Sequence, residues 1–129
     1  MGSRVGPGLT GVVFDTNIII DHLNGVALAS EQLLAHPLRY ASVVTFIEVL
    51  AGFQDDAAEV HARRLLRRFR IVETAEVADH AIRIRRERRL KLPDAIILAT
   101  ARHLGCKLVT RNTKDFPRDD PDILVPYEL

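Results

Sequence analysis

Three carboxylates stand where a folding argument alone would not place them. Asp15 follows a short apolar run, Glu48 interrupts an apolar stretch of helical character, and Asp94 begins another such stretch. Burying an unpaired carboxylate is costly, so acids in such positions are usually paired, hydrogen-bonded or bound to a metal ion. These three acids are therefore candidates for one shared site.

Each acid also has a simpler interpretation. Asp94 lies beside Pro93 and would suit the first turn of a helix, while Asp15 would suit the cap of a helix that follows a strand. Glu48 could occupy a solvent-facing stripe or pair with an arginine, but no other charged residue occurs between positions 41 and 54. Because that helix is apolar on nearly every face, we expect it to be largely buried, Glu48 included.

A shared site of three or four carboxylates would favour a divalent cation. Clustered carboxylates repel one another and raise the pKa of at least one member unless a cation screens them. Hard oxygen donors favour Mg²⁺ or Mn²⁺, whereas the five histidines and one cysteine show no zinc-ligand spacing. Magnesium held by carboxylates is suited to phosphate esters, so the residues predict phosphodiester hydrolysis.

The elements that must position these acids alternate along the chain. Short apolar runs predict strands, and helical periodicity with capping residues predicts helices between them. Thr16 or Asn17 is expected to cap the first helix and Thr74 the fifth. Strands separated by helices favour right-handed crossovers, hence an α/β fold in which a parallel sheet forms the middle layer of an α/β/α sandwich. The predicted strands cover 12–14, 38–41, 70–73, 107–110 and 123–125, and the predicted helices 18–23, 28–35, 42–52, 55–69, 74–89 and 94–104.

Length and composition are those of one globular domain. The chain has 129 residues, 47% of them hydrophobic. Residues 1–11 are rich in glycine and are expected to form a flexible lead, followed by a domain over 12–129. With a single cysteine and no apolar run long enough for a signal core or a membrane span, a cytoplasmic location without membrane attachment is expected.

Four segments resemble the successive motifs of the PIN-domain ribonucleases, in order and in spacing. The segments are Val13-Phe14-Asp15-Thr16-Asn17, the apolar helix around Glu48, Leu92-Pro93-Asp94-Ala95, and Val109-Thr110-Arg111-Asn112-Thr113-Lys114-Asp115-Phe116. The resemblance extends from about residue 12 to residue 125, nearly the whole chain. The single-domain size is similar to that of the VapC-type toxins of bacterial VapBC toxin–antitoxin pairs.

The resemblance implies a four- or five-stranded parallel sheet and assigns roles to residues of this chain. Asp15, Glu48 and Asp94 match the three core metal ligands, and Asp115 matches the fourth acid. Thr16 would lie near the phosphate, while Thr110 and Asn112 would order the loop with Asp115 or bind metal-coordinated water. Many relatives have an acid where Asn112 stands, so one metal or two remains open. Asp21, which follows an apolar helical turn, is interpreted as solvated or partner-facing.

The function implied is that of a Mg²⁺-dependent endoribonuclease, with Mn²⁺ as the other candidate ion, acting as the toxin of a type II toxin–antitoxin system. Water would attack the phosphodiester in line with the metal's help, leaving 3′-hydroxyl and 5′-phosphate ends. The implied protein partner is a VapB-type antitoxin whose C-terminal segment covers the active site. A homodimer, and a larger assembly with the antitoxin, are also expected.

The chain carries a basic segment that suits an RNA backbone. Net charge is only +1, but residues 63–91 contain eleven Lys or Arg against four acids. Non-specific binding of RNA rests on such charges, although a solvated helix face is the simpler interpretation. Apolar side chains on two of the predicted helices could serve the core, a dimer contact or an antitoxin groove: Leu33, Leu34, Leu65, Leu66 and Phe69. The residues predicted to contact RNA are Arg85, Arg86, Arg88, Arg89, Lys91 and Arg111, and a weaker case exists for Arg63, Arg64, Arg67 and Arg68.

Three rival functions would usually require other residues than those present. A receiver-type phosphorylated signalling domain usually has an acidic pair after its first strand, whereas Asp15 stands alone. A haloacid-dehalogenase-type phosphatase would need a second aspartate where Asn17 stands. A PIN-fold module that binds RNA without cleaving it would typically have lost core acids, and all four acidic positions are filled here.

Overall fold

A computed structural model describes residues 11–129 of the chain. The flexible lead predicted for residues 1–11 therefore lies outside the described residues, apart from Gly11. None of the helices between residues 11 and 129 is long and apolar enough to cross a membrane. The elements are β1 (Val12–Phe14), α1 (Thr16–Leu23), α2 (Ala27–Ala35), β2 (Arg39–Ser42), α3 (Val43–Ala51), α4 (Asp56–Leu66), β3 (Arg70–Val72), α5 (Thr74–Glu87), α6 (Leu92–Leu104), β4 (Lys107–Val109) and β5 (Ile123–Leu124).

The five strands form one parallel sheet in the order β3-β2-β1-β4-β5. In the register at the centre, Val13 of β1 lies beside Tyr40 of β2 on one side and Leu108 of β4 on the other. Receiver domains have the strand order 2-1-3-4-5, which this sheet does not have. The strand order therefore disfavours the receiver-type alternative. The predicted parallel sheet is confirmed, with five strands.

Two apolar clusters cover the two faces of the sheet. One packs α5 and α6 against inward side chains such as Val13 and Leu108, and the other packs α1 to α4 against Phe14 and Val109. Successive residues of β1 and β4 point to opposite faces, which is why each strand contributes to both clusters. The predicted three-layer sandwich is confirmed. Of the five apolar residues with open roles, Leu33, Leu66 and Phe69 are buried, Leu65 is half-buried and Leu34 is 79% exposed.

The caps of two helices differ from the prediction. Asp15, rather than Thr16 or Asn17, is the cap of α1, and its carboxylate accepts a hydrogen bond from the backbone N–H of Thr16. Thr74 is already the first residue of α5, and the preceding Glu73 makes no capping hydrogen bond through its side chain. Several side chains at each of these strand ends can act as caps, and the sequence alone does not rank them.

The burial predicted for the helix around Glu48 is wrong. Only Thr45 and Val49 are buried along α3, whereas Ile47 is 58% exposed and Glu48 is exposed as well. Val44, Phe46 and Leu50 are partly buried against the two clusters, so it is the side of α3 with Ile47 and Glu48 that faces solvent. The cost of burying a carboxylate therefore applies to Asp15 but not to Glu48.

The last long helix ends as its sequence predicts, and its end provides a test of the local conformation. Pro93 lies in the first turn of α6, and Gly105 follows its last turn with φ +66. We expect Gly105→Ala to reduce the free energy of unfolding by about 1 kcal/mol, because an L side chain is strained in the left-handed region.

Urea denaturation would measure this change. Gly52→Ala is the matched control, since Gly52 also follows a helix but has a right-handed backbone with φ −76 and only ordinary contacts around an added Cβ. Equal losses of stability in the two variants would contradict a conformational cause.

Candidate functional site

The predicted acids lie near the edge of the sheet formed by the carboxyl ends of β1, β2 and β4. Asp15 comes directly after β1, and Glu48 lies on α3, which begins directly after β2. Asp94 lies in the first turn of α6, and Asp115 lies on the loop that follows β4. Ligands of open parallel sheets bind beyond this edge, so the topology supports a shared site.

Asp15 is the most buried of the four acids, with 4% of its surface exposed. Its Oδ1 accepts the backbone N–H of Thr16 at 2.8 Å, and its Oδ2 accepts the Thr110 hydroxyl at 2.7 Å and the Asn17 amide at 3.2 Å. Burial raises the pKa of Asp15 to about 6, repulsion from Asp94 and Glu48 acts in the same direction, and the hydrogen bonds from Thr110 and Thr16 oppose the rise.

Asp94 is half-buried and is repelled electrostatically by other acids of the site. Burial raises the pKa of Asp94 above its usual range, and repulsion from Asp115 and Glu48 raises it further, while Lys91 opposes the shift. Asp94 therefore repels Asp15, Glu48 and Asp115. Asp94 is thus an electrostatic neighbour of each of the other three acids, and the shared site remains a prediction.

Thr16 connects α1 to the exposed acid on α3. Its hydroxyl donates to Glu48 Oε1 at 2.6 Å and lies 3.1 Å from the hydroxyl oxygen of Thr45. Because a hydroxyl has one proton, the Thr45 hydroxyl donates to Thr16 when Thr16 donates to Glu48. The predicted role of Thr16 beside a phosphate remains a prediction, and the observed contact fixes the Glu48 carboxylate next to Asp15.

Thr110 joins β1 to the loop after β4. Its hydroxyl oxygen accepts the backbone N–H of Asn112 at 3.0 Å and the Asn17 amide at 3.3 Å. With both lone pairs used by N–H donors, its one proton is directed to Asp15. Asn112 in turn donates its side-chain amide to Asp115 Oδ2 at 3.0 Å. Thr110 and Asn112 thus order the loop that carries Asp115, which is one of the two roles predicted for them. The other role, binding metal-coordinated water, remains a prediction.

The donor set fits a hard divalent cation, although the acids stand in an open arrangement. Within residues 11–129, no three His, Cys, Asp or Glu side chains converge closely enough to surround one ion. In the same part of the chain, none of the four acids forms an ion pair with Lys, Arg or His. Carboxylates that form no ion pair supply the oxygen ligands that Mg²⁺ and Mn²⁺ prefer. Metal binding by Asp15, Glu48, Asp94 and Asp115 remains a prediction.

Three of the basic residues predicted to contact RNA are engaged within the chain. Arg85 donates to the backbone oxygen of Leu90, and Arg88 donates to Asp120 and to the backbone oxygen of Asp115. Arg111 forms a two-point ion pair with Asp21. For these three, RNA contact remains a prediction that competes with an observed structural role. The other three, Arg86, Arg89 and Lys91, are exposed.

The interpretation of Asp21 as solvated or partner-facing is wrong. Asp21 is 6% exposed, and it accepts hydrogen bonds from Arg111 and from the hydroxyl of Tyr127. Sequence reasoning also missed Asn17, which binds Asp15 directly, and Tyr127. The position of Asn17 two residues after Asp15 was the one local signal available for it. Tyr127 offered none, because its partner lies 106 residues earlier in the chain.

The chain is similar to known proteins in sequence and in fold. A family model described as the PIN domain matches residues 12–120. The chain is similar to a chain of a toxin–antitoxin complex from Klebsiella pneumoniae, with 40% sequence identity, a TM-score of 0.85, and coverage of 92% of this chain and 100% of that chain.

Two more distant structures share the fold. A chain of FitAcB from Neisseria gonorrhoeae is 25% identical with a TM-score of 0.73, over 92% of this chain and 99% of that chain. A chain of VapBC2 from Rickettsia felis, bound to a DNA fragment from its promoter, is 20% identical with a TM-score of 0.69, over 88% and 95% of the two chains. No curated protein sequence matches the chain.

Proposed function

Because this chain belongs to the PIN domain family, we propose that it is a divalent-metal-dependent endoribonuclease and the toxin of a type II toxin–antitoxin pair. The observation that carries the proposal is the state of Asp15. Its carboxylate is buried beside two further acids, its pKa is raised to about 6, and no cationic side chain of residues 11–129 pairs with it. A cation from solution is the natural partner of such a group.

The residues that would hold the metal are Asp15, Glu48, Asp94 and Asp115. A divalent ion bound there would supply charge neutralisation for a phosphodiester and for the leaving oxygen. The hydrogen bonds of the chain itself orient the Asp15 carboxylate. Oδ1 of Asp15 has one hydrogen bond and spare acceptor capacity, whereas Oδ2 is already occupied by Thr110 and Asn17. Oδ1 is therefore the oxygen of Asp15 that would be available to a bound cation.

The substrate proposed is RNA, bound mainly through its phosphates. Lys91 lies close enough to Asp94 to act on its pKa, and Arg88 contacts the loop that carries Asp115. The basic end of α5 and the linker to α6 therefore border the acids, so that exposed Arg86, Arg89 and Lys91 can lead a polyanion to the site. Such binding should weaken steeply with added salt.

The proposed partner is an antitoxin protein that covers the acids. The Klebsiella pneumoniae structure is a toxin–antitoxin complex, and it matches this chain with 40% identity over almost the full length of both chains. By this likeness the toxin role and complex formation extend to the present chain. A homodimer, and a larger assembly with the antitoxin, complete the proposal.

Cleavage of a mixed cellular RNA pool tests this function. Purified, antitoxin-free protein is incubated with the pool in Mg²⁺, in Mn²⁺ and in chelator, and the fragment ends are sequenced. We expect cuts with 5′-phosphate ends in either metal and none in chelator. Cutting that persists in chelator would contradict the metal site, and folded protein that binds the pool without cutting it would favour an RNA-binding module.

A further inference from the structure

An ion pair whose carboxylate is buried lies beside the acids but does not include any of them. Asp21 of α1, only 6% exposed, accepts two hydrogen bonds from the Arg111 guanidinium, at 2.7 and 2.9 Å, and a third from the Tyr127 hydroxyl at 2.8 Å. These contacts hold the pKa of Asp21 below its usual range, the Arg111 hydrogen bonds contributing most. The carboxylate is therefore ionised and committed to its two partners.

The ion pair is connected to Asp15 through one amide. The backbone N–H of Arg111 donates to Asn17 Oδ1 at 3.1 Å, and the Asn17 amide nitrogen donates to Asp15 Oδ2 and to the Thr110 hydroxyl. A backbone N–H can only donate, so it fixes which end of the Asn17 amide is oxygen. The amide nitrogen must then face Asp15. A shift of Arg111 would therefore change the orientation of the Asn17 amide and weaken its hydrogen bond to Asp15.

Asp21 also joins three parts of the chain that are distant in sequence. Asp21 and Asn17 lie on α1, Arg111 lies on the loop after β4, and Tyr127 lies beyond β5. Ion pairs that are taken out of water contribute little net stability, because desolvation offsets their attraction. A geometric role fits this cluster well, since the loop it holds continues through Asn112 to Asp115.

We propose that Asp21, Arg111 and Tyr127 form a clamp that positions the acids of the site, by holding the loop after β4 against α1 and so directing Asn17 to Asp15. In this role the three residues are positioning residues, which act on the acids through Asn17 and through the loop after β4. The inference rests on the proposed function in one respect, namely that the acids bind a divalent cation.

The first test is Tyr127→Phe, which removes one hydroxyl and keeps the ring. Loss of a partner one step removed from metal ligands typically costs tenfold to 100-fold in affinity, and Tyr127 stands further out, so we expect Mg²⁺ affinity to fall roughly threefold to tenfold. Arg111→Lys, which cannot make the two-point contact, should cost more. Calorimetric titration with Mg²⁺ measures both, and RNA cleavage is followed in parallel.

Two control variants make the same chemical changes elsewhere. Tyr40→Phe alters the chain's other tyrosine, which makes no hydrogen bond to Asp21 or Arg111, and Arg102→Lys alters an ion pair with Asp120 and Asp122 on the same β4–β5 connection. Both controls should keep the wild-type Mg²⁺ affinity. Thermal unfolding of all four variants shows whether any loss of affinity merely follows a loss of stability.

The outcomes separate the clamp from the proposed function. Wild-type affinity in both Tyr127→Phe and Arg111→Lys, or equal losses in the controls, would overturn the clamp. Mg²⁺ binding without RNA cleavage by the wild-type protein would contradict the proposed function and leave the clamp to be decided by the affinities. A wild-type protein that binds neither Mg²⁺ nor Mn²⁺ would overturn both.

Discussion

Asp94→Asn should reduce Mg²⁺-dependent RNA cleavage by roughly 100-fold or more. Changes to residues that only support metal ligands already cost tenfold to 100-fold, and this substitution removes a proposed ligand itself. Asparagine keeps the shape of the side chain and can still occupy the first turn of α6, so the fold should be retained. Initial cleavage rates on one defined RNA, at saturating Mg²⁺, measure the effect.

The same substitution should leave the metal-free protein at least as stable as the wild type. The raised pKa of Asp94 shows that its charge is unfavourable in the folded state, through burial and through repulsion by Asp115 and Glu48. Removing the charge relieves this repulsion. A loss of cleavage with no loss of thermal stability would therefore place Asp94 in the reaction rather than in folding.

Asp119→Asn is the control for this experiment. Asp119 is an exposed aspartate on the loop between β4 and β5, four residues after Asp115, and it belongs to no predicted site. Its replacement removes the same charge from the protein and should leave cleavage within about twofold, the scale of a weak, screened surface effect. Equal losses of cleavage rate in Asp94→Asn and Asp119→Asn would mean that the change of net charge alone causes the loss.

The fold was predictable because its signals are local. Short apolar runs bounded by turns predicted the five strands, and the periodicity of α6 with Pro93 and Gly105 predicted both of its ends. Errors arose where several residues compete for one local role. Asp15, Thr16 and Asn17 can all cap a helix, and only the folded geometry shows that Asp15 is the cap of α1.

The acids of the site were predictable for a related reason, since a carboxylate that ends or interrupts an apolar run conflicts with folding. That conflict identified Asp15 and Asp94 correctly as buried and half-buried charges with raised pKa values. It failed for Glu48, because the exposed side of an apolar helix depends on how far its neighbours cover it. The packing of α3 against its layer is a long-range property.

The contacts that organise the site could not be read from the sequence. Asp21 and Arg111 are 90 residues apart, and nothing in either neighbourhood indicates a partner. The sequence likewise does not distinguish the arginines of the basic segment from one another, because they stand in similar local sequence. Only the structure shows that Arg85 and Arg88 donate hydrogen bonds to backbone oxygens of the chain.

In the absence of metal, the stabilising contribution of Asp15 should be lost as the pH rises from about 4 to about 7. The pKa of Asp15 rises from 3.8 to about 6 on folding, so the folded state favours the protonated carboxyl group. This contribution to stability is fully present below the unfolded pKa and is lost as the pH passes through the folded pKa. The shift corresponds to roughly 3 kcal/mol in total, about 2 kcal/mol of it between pH 4.5 and 7.5.

Urea unfolding in chelator at several pH values, for the wild type and for Asp15→Asn, would isolate this contribution. Asparagine also changes the hydrogen bonds to Thr110 and Asn17, so the informative quantity is the difference in slope between the two profiles rather than either absolute stability. Asp21 does not interfere. Its pKa is lowered on folding, so its contribution is lost only in more acidic solution, as the pH falls below the unfolded value.

Added Mg²⁺ should reverse the loss at neutral pH, because a bound cation favours the ionised carboxylate, and Asp15→Asn should show little of this gain. Parallel profiles for the two proteins in chelator would mean that burial and repulsion do not hold the Asp15 proton. If the slopes differ and Mg²⁺ closes the gap only in the wild type, the instability of the metal-free site and its affinity for a cation have the same origin. Ionised Asp15 would then destabilise the metal-free folded state, and a bound divalent ion would remove that destabilisation.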